Sequence, residues 1–232
     1  MRPFTLPAIT LAKIAQTCSA TSTTSEKELA AISVSGASHS DSQVQPGDLF
    51  IAMPGANRHG AEFIISAKRN GAIAALTDIA GAHQITELVP GFPVLVVTNP
   101  RLIAGRIAAL IYNEPMRDLN CIGITGTNGK TTVTTLLHQI FEAAHRECGL
   151  IGTVETRIGS EILASKRTTP EATDLQALAA VMRERHMRHL VIEASSHALQ
   201  LHRLEGSYFA IAGFTNLTQD HLDFHGDMES YF

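Results

Sequence analysis

Cys121-Ile122-Gly123-Ile124-Thr125-Gly126-Thr127-Asn128-Gly129-Lys130-Thr131-Thr132 is the stretch that decides the fold. Residues 121–125 read as a short apolar strand. A turn bracketed by two glycines follows and runs into a helix expected over residues 131–145. Glycines there let backbone N–H groups approach phosphate oxygens, and the helix N-terminus adds a dipole that favours an anion. Lys130 is placed to neutralise β/γ-phosphate charge, and the Thr131 hydroxyl to reach Mg²⁺. The ATP-binding candidates are therefore Gly126, Thr127, Asn128, Gly129, Lys130, Thr131 and Thr132. The longer form of this pattern has a glycine five residues before Gly129, where Ile124 stands, so the loop is the shorter GxxGKT form. A turn that bound nothing would have no packing need for Lys-Thr directly after its glycine.

Downstream, the chain continues to alternate. Residues 149–156 and 161–164 suit a pair of strands around a turn at Gly159, residues 174–186 a helix, and residues 189–194 and 209–214 apolar strands. In open α/β sheets ligands sit beyond the carboxyl ends of the strands. The strand at 189–194 delivers Glu193-Ala194-Ser195-Ser196-His197 to that edge, and the strand at 209–214 delivers Thr215-Asn216 and then Asp220-His221. If the strands are parallel, both clusters meet the glycine loop, and a carboxylate and an imidazole beside a triphosphate are natural Mg²⁺ ligands or holders of ligands. Each cluster alone has a plainer reading. Glu193 could cap a helix or pair with a cation. His221 and His225 stand at i, i+4 between Asp220 and Asp223, but no third ligand set or HExxH pattern accompanies them as zinc would require. Ser195-Ser196-His197 is no triad, and GxSxG is absent. Arg167-Thr168-Thr169-Pro170 reads as ordinary capping before a helix, and Arg203 as a surface residue.

Upstream, residues 48–53 form a strand stopped by Pro54-Gly55. Residues 61–70 follow as a helix, and 72–77 and 94–98 as strands. A helix over 99–112 has Asn99 as its cap and Pro100 in its first turn. Polar residues 113–118, with Pro115, suit a linker. The fold class is α/β: a small N-terminal α/β domain over 1–118, then a mostly parallel phosphate-loop nucleotide-binding domain over 119–232. A hydrophobic share of 44% against 17% charged supports a substantial core, and the net charge of −4 argues against nucleic acid as the main partner. Cys18, Cys121 and Cys148 show no metal spacing and read as reduced thiols. At the N-terminus Pro3, Pro7, Lys13 and Gln16 interrupt the apolar run that begins with Phe4 and Leu6, so a short helix over 11–17 fits better than a signal peptide. No stretch approaches the ~18 apolar residues of a membrane span, and a soluble, cytoplasmic protein is expected. Residues 227–232 read as the start of a helix, and the chain as a fragment.

The residues now carry a resemblance. Ile122 to Thr132 resembles the ATP loop of the Mur ligases. Thr168-Thr169-Pro170, Glu193-Ala194-Ser195-Ser196-His197-Ala198 and Thr215 to Gly226 follow in that family's order and spacing. Upstream, Asp41-Ser42 through Asp48-Leu49-Phe50-Ile51-Ala52-Met53-Pro54-Gly55 looks like the entry strand of its UDP-binding domain. The resemblance covers essentially the whole chain. It implies an ATP-dependent amide-bond ligase of peptidoglycan synthesis that adds the third amino acid to UDP-MurNAc-L-Ala-D-Glu through an acyl phosphate. Its substrates would be the UDP-MurNAc-dipeptide and a free amino acid, its cofactors ATP and Mg²⁺, and its oligomeric state a monomer. By position, Ser42 and the Ala56-Asn57-Arg58 loop would touch the UDP part. Thr168, Thr169, Ser195 and Arg203 would hold the muramyl peptide. Lys130, Glu193 and His221 would be catalytic, with Thr131, Glu193 and His221 organising the metal. Gln43 replaces an arginine usual in the family, and Leu201 a glutamine of some members. The family's carbamylated lysine and amino-acid-binding domain would follow Phe232, so the chain alone is expected to be inactive. A folylpolyglutamate synthetase would share the phosphate loop but has no use for the 41–55 segment. A non-catalytic phosphate-loop module has no use for Glu193 and His221 at neighbouring strand ends.

Overall fold

The computed structural model describes residues 1–5 and 8–232; Leu6 and Pro7, invoked above against a signal peptide, lie outside the described residues. The chain divides into two units, Phe4–Glu114, and Pro115–Phe232 together with Met1–Pro3. The division falls inside the expected 113–118 linker, between Glu114 and Pro115. Pro115–Asp118 forms a 3-10 turn with Met116 buried in the second unit's core, because its apolar residues find a helix to cover.

The first unit opens with β1 (Ile9–Thr10), α1 (Leu11–Cys18), α2 (Glu26–Ala31), β2 (Ser33–Val34) and β3 (Gly36–Ser38). It continues with β4 (Asp48–Ile51), α3 (Ile64–Arg69), β5 (Ala74–Thr77), α4 (Ile79–Leu88), β6 (Val94–Val96) and α5 (Pro100–Ile111). The strands β3-β4-β5-β6 lie side by side, all parallel. Because a parallel sheet is covered on both faces, its strands are apolar at consecutive positions. Phe50 and Ala75 face Ile64 and Ile85 of α3 and α4, while the alternate residues Leu49, Ile51 and Leu76 are equally buried. Ser25 and Glu28 close a capping box on α2, and Asn99 Oδ1 accepts from the Arg101 and Leu102 amides at the head of α5.

Two expectations for this unit change, and one helix is additional. The helix over 61–70 begins as a 3-10 turn, Gly60–Phe63, capped by His59 Nδ1. The 41–55 entry strand starts only at Asp48: Asp41–Gln43 is a 3-10 turn. Helix α4 was not foreseen, because only Gly81 and Ile85 of its ten residues are buried and no apolar stripe marks it.

The second unit holds β7 (Asn120–Thr125), α6 (Lys130–Ala143), β8 (Cys148–Ile151), β9 (Glu155–Ile158), β10 (Glu161–Ala164) and α7 (Ala172–Glu184). Then come β11 (His189–Glu193), α8 (Ser196–Gln200), β12 (Ile211–Phe214), α9 (Leu222–His225) and α10 (Met228–Tyr231). The sheet order is β10-β9-β8-β11-β7-β12; β8, β11, β7 and β12 are parallel, and β9 and β10 add an antiparallel edge. One face packs Leu175, Ala179 and Met182 of α7 against Cys121, Leu190 and Ile192; the other packs Val133, Leu137 and Phe141 of α6 against Ile122, Ile124 and Val191. The strand expected over 149–156 is two strands, broken at Gly152-Thr153-Val154. Among the described residues no helix is long and apolar enough to cross a membrane.

Candidate active site

Four parallel strands of the second unit end on one edge, and the strand carrying the glycine loop, β7, lies between β11 and β12. The loop's conformation is set by its glycines. Gly126 has φ +125°, and a Cβ there would stand 2.2 Å from Thr215 Oγ1 and 2.8 Å from the Asn216 carbonyl oxygen. Gly129, at φ +88°, caps α6 in the left-handed region. The segment after β12 fixes the loop from outside. The Thr127 amide donates to Asn216 O (2.8 Å), the Asn128 amide to Asn216 Oδ1 (3.1 Å), and the Thr215 hydroxyl to Asn128 O (2.7 Å). Lys130 Nζ turns back onto the carbonyls of Gly126 (2.7 Å) and Thr127 (2.9 Å), so its charge already sits over the loop. Thr132 is exposed on the first turn of α6.

Glu193, at the end of β11, is 1% exposed. Its Oε2 accepts from the Thr131 hydroxyl (3.0 Å) and the Thr153 hydroxyl (2.9 Å), and its Oε1 from the Thr153 amide (2.9 Å). Gly152 makes this approach possible, since a Cβ there would meet Glu193 Oε1 at 2.4 Å. Among the described residues no lysine, arginine or histidine pairs with this carboxylate. A buried carboxylate held only by neutral donors retains a field that suits a cation. The residues therefore fit Mg²⁺-nucleotide, with a helix N-terminus and a lysine for the phosphates and an anionic acceptor beside Thr131. Among the described residues no group of three His, Cys, Asp or Glu side chains is arranged to hold a metal by itself.

Next to Glu193 lies the loop before α7. Thr169 is fully buried: its hydroxyl donates to Glu193 O (2.6 Å), accepts from the Ser195 amide (3.1 Å) and stands 3.3 Å from Ser195 Oγ. Ser195 also caps α8 through the Ala198 amide. Thr168 Oγ1 lies 3.0 Å from Thr153 Oγ1. Arg203 Nε pairs with Glu171 Oε1 at 3.0 Å, and a second arginine, Arg167, joins the same carboxylate. Glu171 is the N-cap of α7 yet makes no capping bond; its side chain serves the arginines instead.

His221 belongs to a different cluster. Its amide donates to Asp220 Oδ1 (2.9 Å), and its ring meets His197 edge-on with centroids 4.7 Å apart. His197 also stacks on Phe224 at 4.2 Å, and His225 Nε2 lies 3.0 Å from Ser196 Oγ. Burial lowers the pKa of His197, and the nearby His221 and His225 add to the shift. Among the described residues no contact joins His221 to Glu193 or Thr131. Cys121 and Cys148 are pushed up to about 12 by burial and are not nucleophiles.

In the first unit, Ser42 and residues 56–58 leave the carboxyl ends of the neighbouring strands β3 and β4. Ser42 Oγ is 3.0 Å from Ser40 Oγ. Ala56, Asn57 and Arg58 are exposed, in a loop closed by the Gly55 amide donating to Arg58 O (3.0 Å) and anchored by His59 Nε2 against Asp78 (3.2 Å).

Sequence reasoning missed Thr153, Gly152 and Glu171. Gly152-Thr153 directly after the apolar run Cys148–Ile151 repeats the strand-end signal read elsewhere, and treating 149–156 as one strand hid it.

A strand, a glycine loop and a helix opening with Lys-Thr define a phosphate-loop α/β protein. The descriptions that match the chain are narrower: the Mur ligase family catalytic domain over residues 33–112 and the Mur ligase middle domain over residues 124–232. The chain belongs to the Mur ligase family. It is 54% identical over 199 residues to the UDP-N-acetylmuramoyl-L-alanyl-D-glutamate–2,6-diaminopimelate ligase of Streptomyces avermitilis, covering 86% of this chain and 39% of that one. To the UDP-N-acetylmuramyl-tripeptide synthetase of Leifsonia xyli it is 42% identical, covering 88% and 40%. A solved UDP-N-acetylmuramoyl-L-alanyl-D-glutamate–2,6-diaminopimelate ligase superposes with a TM-score of 0.74 at 26% identity, over 97% of this chain and 43% of that one. MurF from Acinetobacter baumannii shares the fold, with a TM-score of 0.63 at 18% identity over 97% and 44%. The chain thus spans about two fifths of the length of these relatives.

Proposed function

We propose that this chain carries the nucleotide-binding and UDP-sugar-peptide-binding parts of a cytoplasmic ATP-dependent ligase that adds the third residue to UDP-MurNAc-L-Ala-D-Glu. The observation that carries the reading is Glu193, a buried carboxylate that no lysine, arginine or histidine among the described residues pairs with, hydrogen-bonded to Thr131 at the head of the phosphate-loop helix. The names of the relatives support the substrate, and 2,6-diaminopimelate is the amino acid that several of them name.

In this reading the D-Glu carboxylate of the substrate attacks the γ-phosphorus of ATP, giving an acyl phosphate and ADP. The amine of the incoming amino acid then attacks the acyl carbon, phosphate leaves, and the amine's proton passes to solvent or a base. Two anions must meet, so catalysis is chiefly positioning and charge neutralisation. Lys130 exchanges its two loop carbonyls for phosphate oxygens. The loop amides and the start of α6 hold the nucleotide. Thr131 and Glu193 would hold Mg²⁺, which supplies charge neutralisation at the phosphates. Thr168, Thr169, Ser195 and Arg203 orient the muramyl peptide, with Arg203 aimed by Glu171. Ser42 and the Ala56-Asn57-Arg58 loop hold the uridine diphosphate. His221 is kept as a further catalytic and metal-site residue, now with His197 as its neighbour.

The test is calorimetric titration of the purified chain with UDP-MurNAc-L-Ala-D-Glu and, separately, with Mg²⁺ and a non-hydrolysable ATP analogue. Saturable binding of both is expected. A folded chain that binds neither at millimolar concentration would sink the reading. Phosphate release dependent on diaminopimelate, compared with lysine, then reads out the third residue.

A further inference from the structure

Among the described residues, the Thr153 hydroxyl joins the carboxylate of Glu193 to the loop before α7. Thr153 Oγ1 stands 2.9 Å from Glu193 Oε2 and 3.0 Å from Thr168 Oγ1. Both neighbours are placed to accept its proton, and a hydroxyl has only one. Thr131 reaches the same carboxylate oxygen from the phosphate-loop side at 3.0 Å. A continuous path therefore runs Thr131–Glu193–Thr153–Thr168, from the nucleotide loop to the loop before α7. We infer that Thr153 is a positioning residue that couples nucleotide binding to muramyl-peptide binding by choosing which neighbour receives its proton. This rests on the reading proposed above.

The choice follows from charge. While Glu193 is ionised with no cation beside it, the charge-assisted bond is the stronger, so the Thr153 proton goes to Glu193. The Thr168 contact is then left without a donor, because only Thr153 has the geometry to donate in it. Once a cation takes up the charge of Glu193, its hold on the Thr153 proton weakens. Thr153 then donates to Thr168, and a hydroxyl that accepts a bond is the stronger donor, so Thr168 binds an anionic group of the peptide more tightly. Cation and nucleotide on one side thus switch on a donor on the other, and by linkage the peptide strengthens nucleotide binding by the same factor. The Thr153 amide also donates to Glu193 Oε1 at 2.9 Å, so the backbone fixes the carboxylate's orientation whatever the side chain does. The hydroxyl is free to act as the movable part. Thr153 is itself exposed, which leaves room to change it without opening the core.

The experiment measures a coupling factor. The Kd of a non-hydrolysable ATP analogue with Mg²⁺ is determined by calorimetry on the chain with and without saturating UDP-MurNAc-L-Ala-D-Glu, in wild type, Thr153→Val and Thr153→Ser. Wild type should bind the analogue about tenfold more tightly with the peptide present, a size within the usual range for linked sites. Thr153→Val keeps the shape and the amide but has no proton to move, and its factor should fall to about one. Thr153→Ser keeps the hydroxyl and should restore it, which a merely structural role for the threonine methyl would not. A factor near one in wild type, or an undiminished factor in a folded Thr153→Val, overturns the inference while leaving the binding reading intact. A wild-type chain that binds neither ligand overturns both.

Discussion

Both units end their parallel strands on loops that carry candidate binding residues, yet the two edges are built differently. In the first unit the loop over residues 54–58 is exposed, and its arginine has one loose partner, Glu62 at 4.0 Å with the Arg58 side chain 70% exposed. In the second unit the glycine loop is laced to the segment after β12, and the adjacent loops share a buried carboxylate. The difference matches the ligands proposed for each. A triphosphate about to react needs donors fixed in advance, because reorganisation at the moment of transfer would cost rate. A sugar nucleotide that serves as a handle needs only to be held, and an open loop that closes on it suffices.

The comparison breaks most visibly at Lys130. In the Lys130→Ala variant the stretch Gly126 to Thr132 loses its lysine, and Mg²⁺-nucleotide affinity should fall by roughly 30- to 100-fold, the scale of one or two charge-assisted hydrogen bonds. Binding of the UDP-sugar peptide through the first unit should move far less. Equal affinity for the ATP analogue in a folded variant would remove the phosphate-loop assignment.

A stability measurement sharpens the contrast. At Gly126 a Cβ would collide with Thr215 Oγ1 and the Asn216 carbonyl, on a backbone already at φ +125°. Gly126→Ala should cost about 2–4 kcal/mol, because strain and overlap add. Gly91, in the first unit, has φ +77° but nothing within 4 Å of its Cβ position. Gly91→Ala should cost only about 1–2 kcal/mol, from the left-handed backbone alone. Calorimetric scans of the two variants check this, and a smaller loss at Gly126 than at Gly91 would mean the 215–216 segment yields.

For the exposed loop the expectation is weaker still. Arg58→Ala should leave the unfolding midpoint within the change of a surface substitution, about 0.5 kcal/mol, and weaken UDP-MurNAc-dipeptide binding by roughly three- to tenfold. Loss of stability without loss of affinity would make Arg58 a scaffold residue.

The same contrast governs what could be read from sequence. The glycine loop, β7 and α6 were legible because phosphate chemistry demands residue types that packing does not, Gly-Lys-Thr at a strand end. Strands β5 and β6 were legible from continuous apolar runs. Helix α4 was not, since it lies on the sheet with only Gly81 and Ile85 buried, and Gly81 is there for closeness: a Cβ would meet Thr77 Oγ1 at 2.1 Å. β3 escaped notice because Gly36, Ala37 and Ser38 are buried yet small, so no hydrophobic signal marks them. Thr153 was hidden for another reason. Its importance comes from Glu193, forty residues away in sequence, and the sheet order alone brings them together.

The smallest effect lies at the opposite end of β11 from Glu193. His189 opens that strand half-buried, with its ring stacked on Phe141 at a centroid distance of 4.5 Å and an interplanar angle of 25°. Burial lowers its pKa, and the charge of Arg146 adds to that. The folded state therefore binds a proton less readily than the unfolded chain, whose imidazole titrates near the ordinary value of about 6.5. Stability from the neutral ring is fully present above that unfolded value. It declines as pH falls from there toward the lower folded pKa, and is level again below it, where both states are protonated. The size is small because solvent screens a half-buried ring. His189→Phe keeps the stack and removes the titration. Between about pH 7.5 and 5.5 the thermal midpoint of the wild type should therefore fall by more than that of the variant. Parallel profiles would mean that the His189 proton is bound equally in both states, and that the sheet end far from the glycine loop carries no titrating contact.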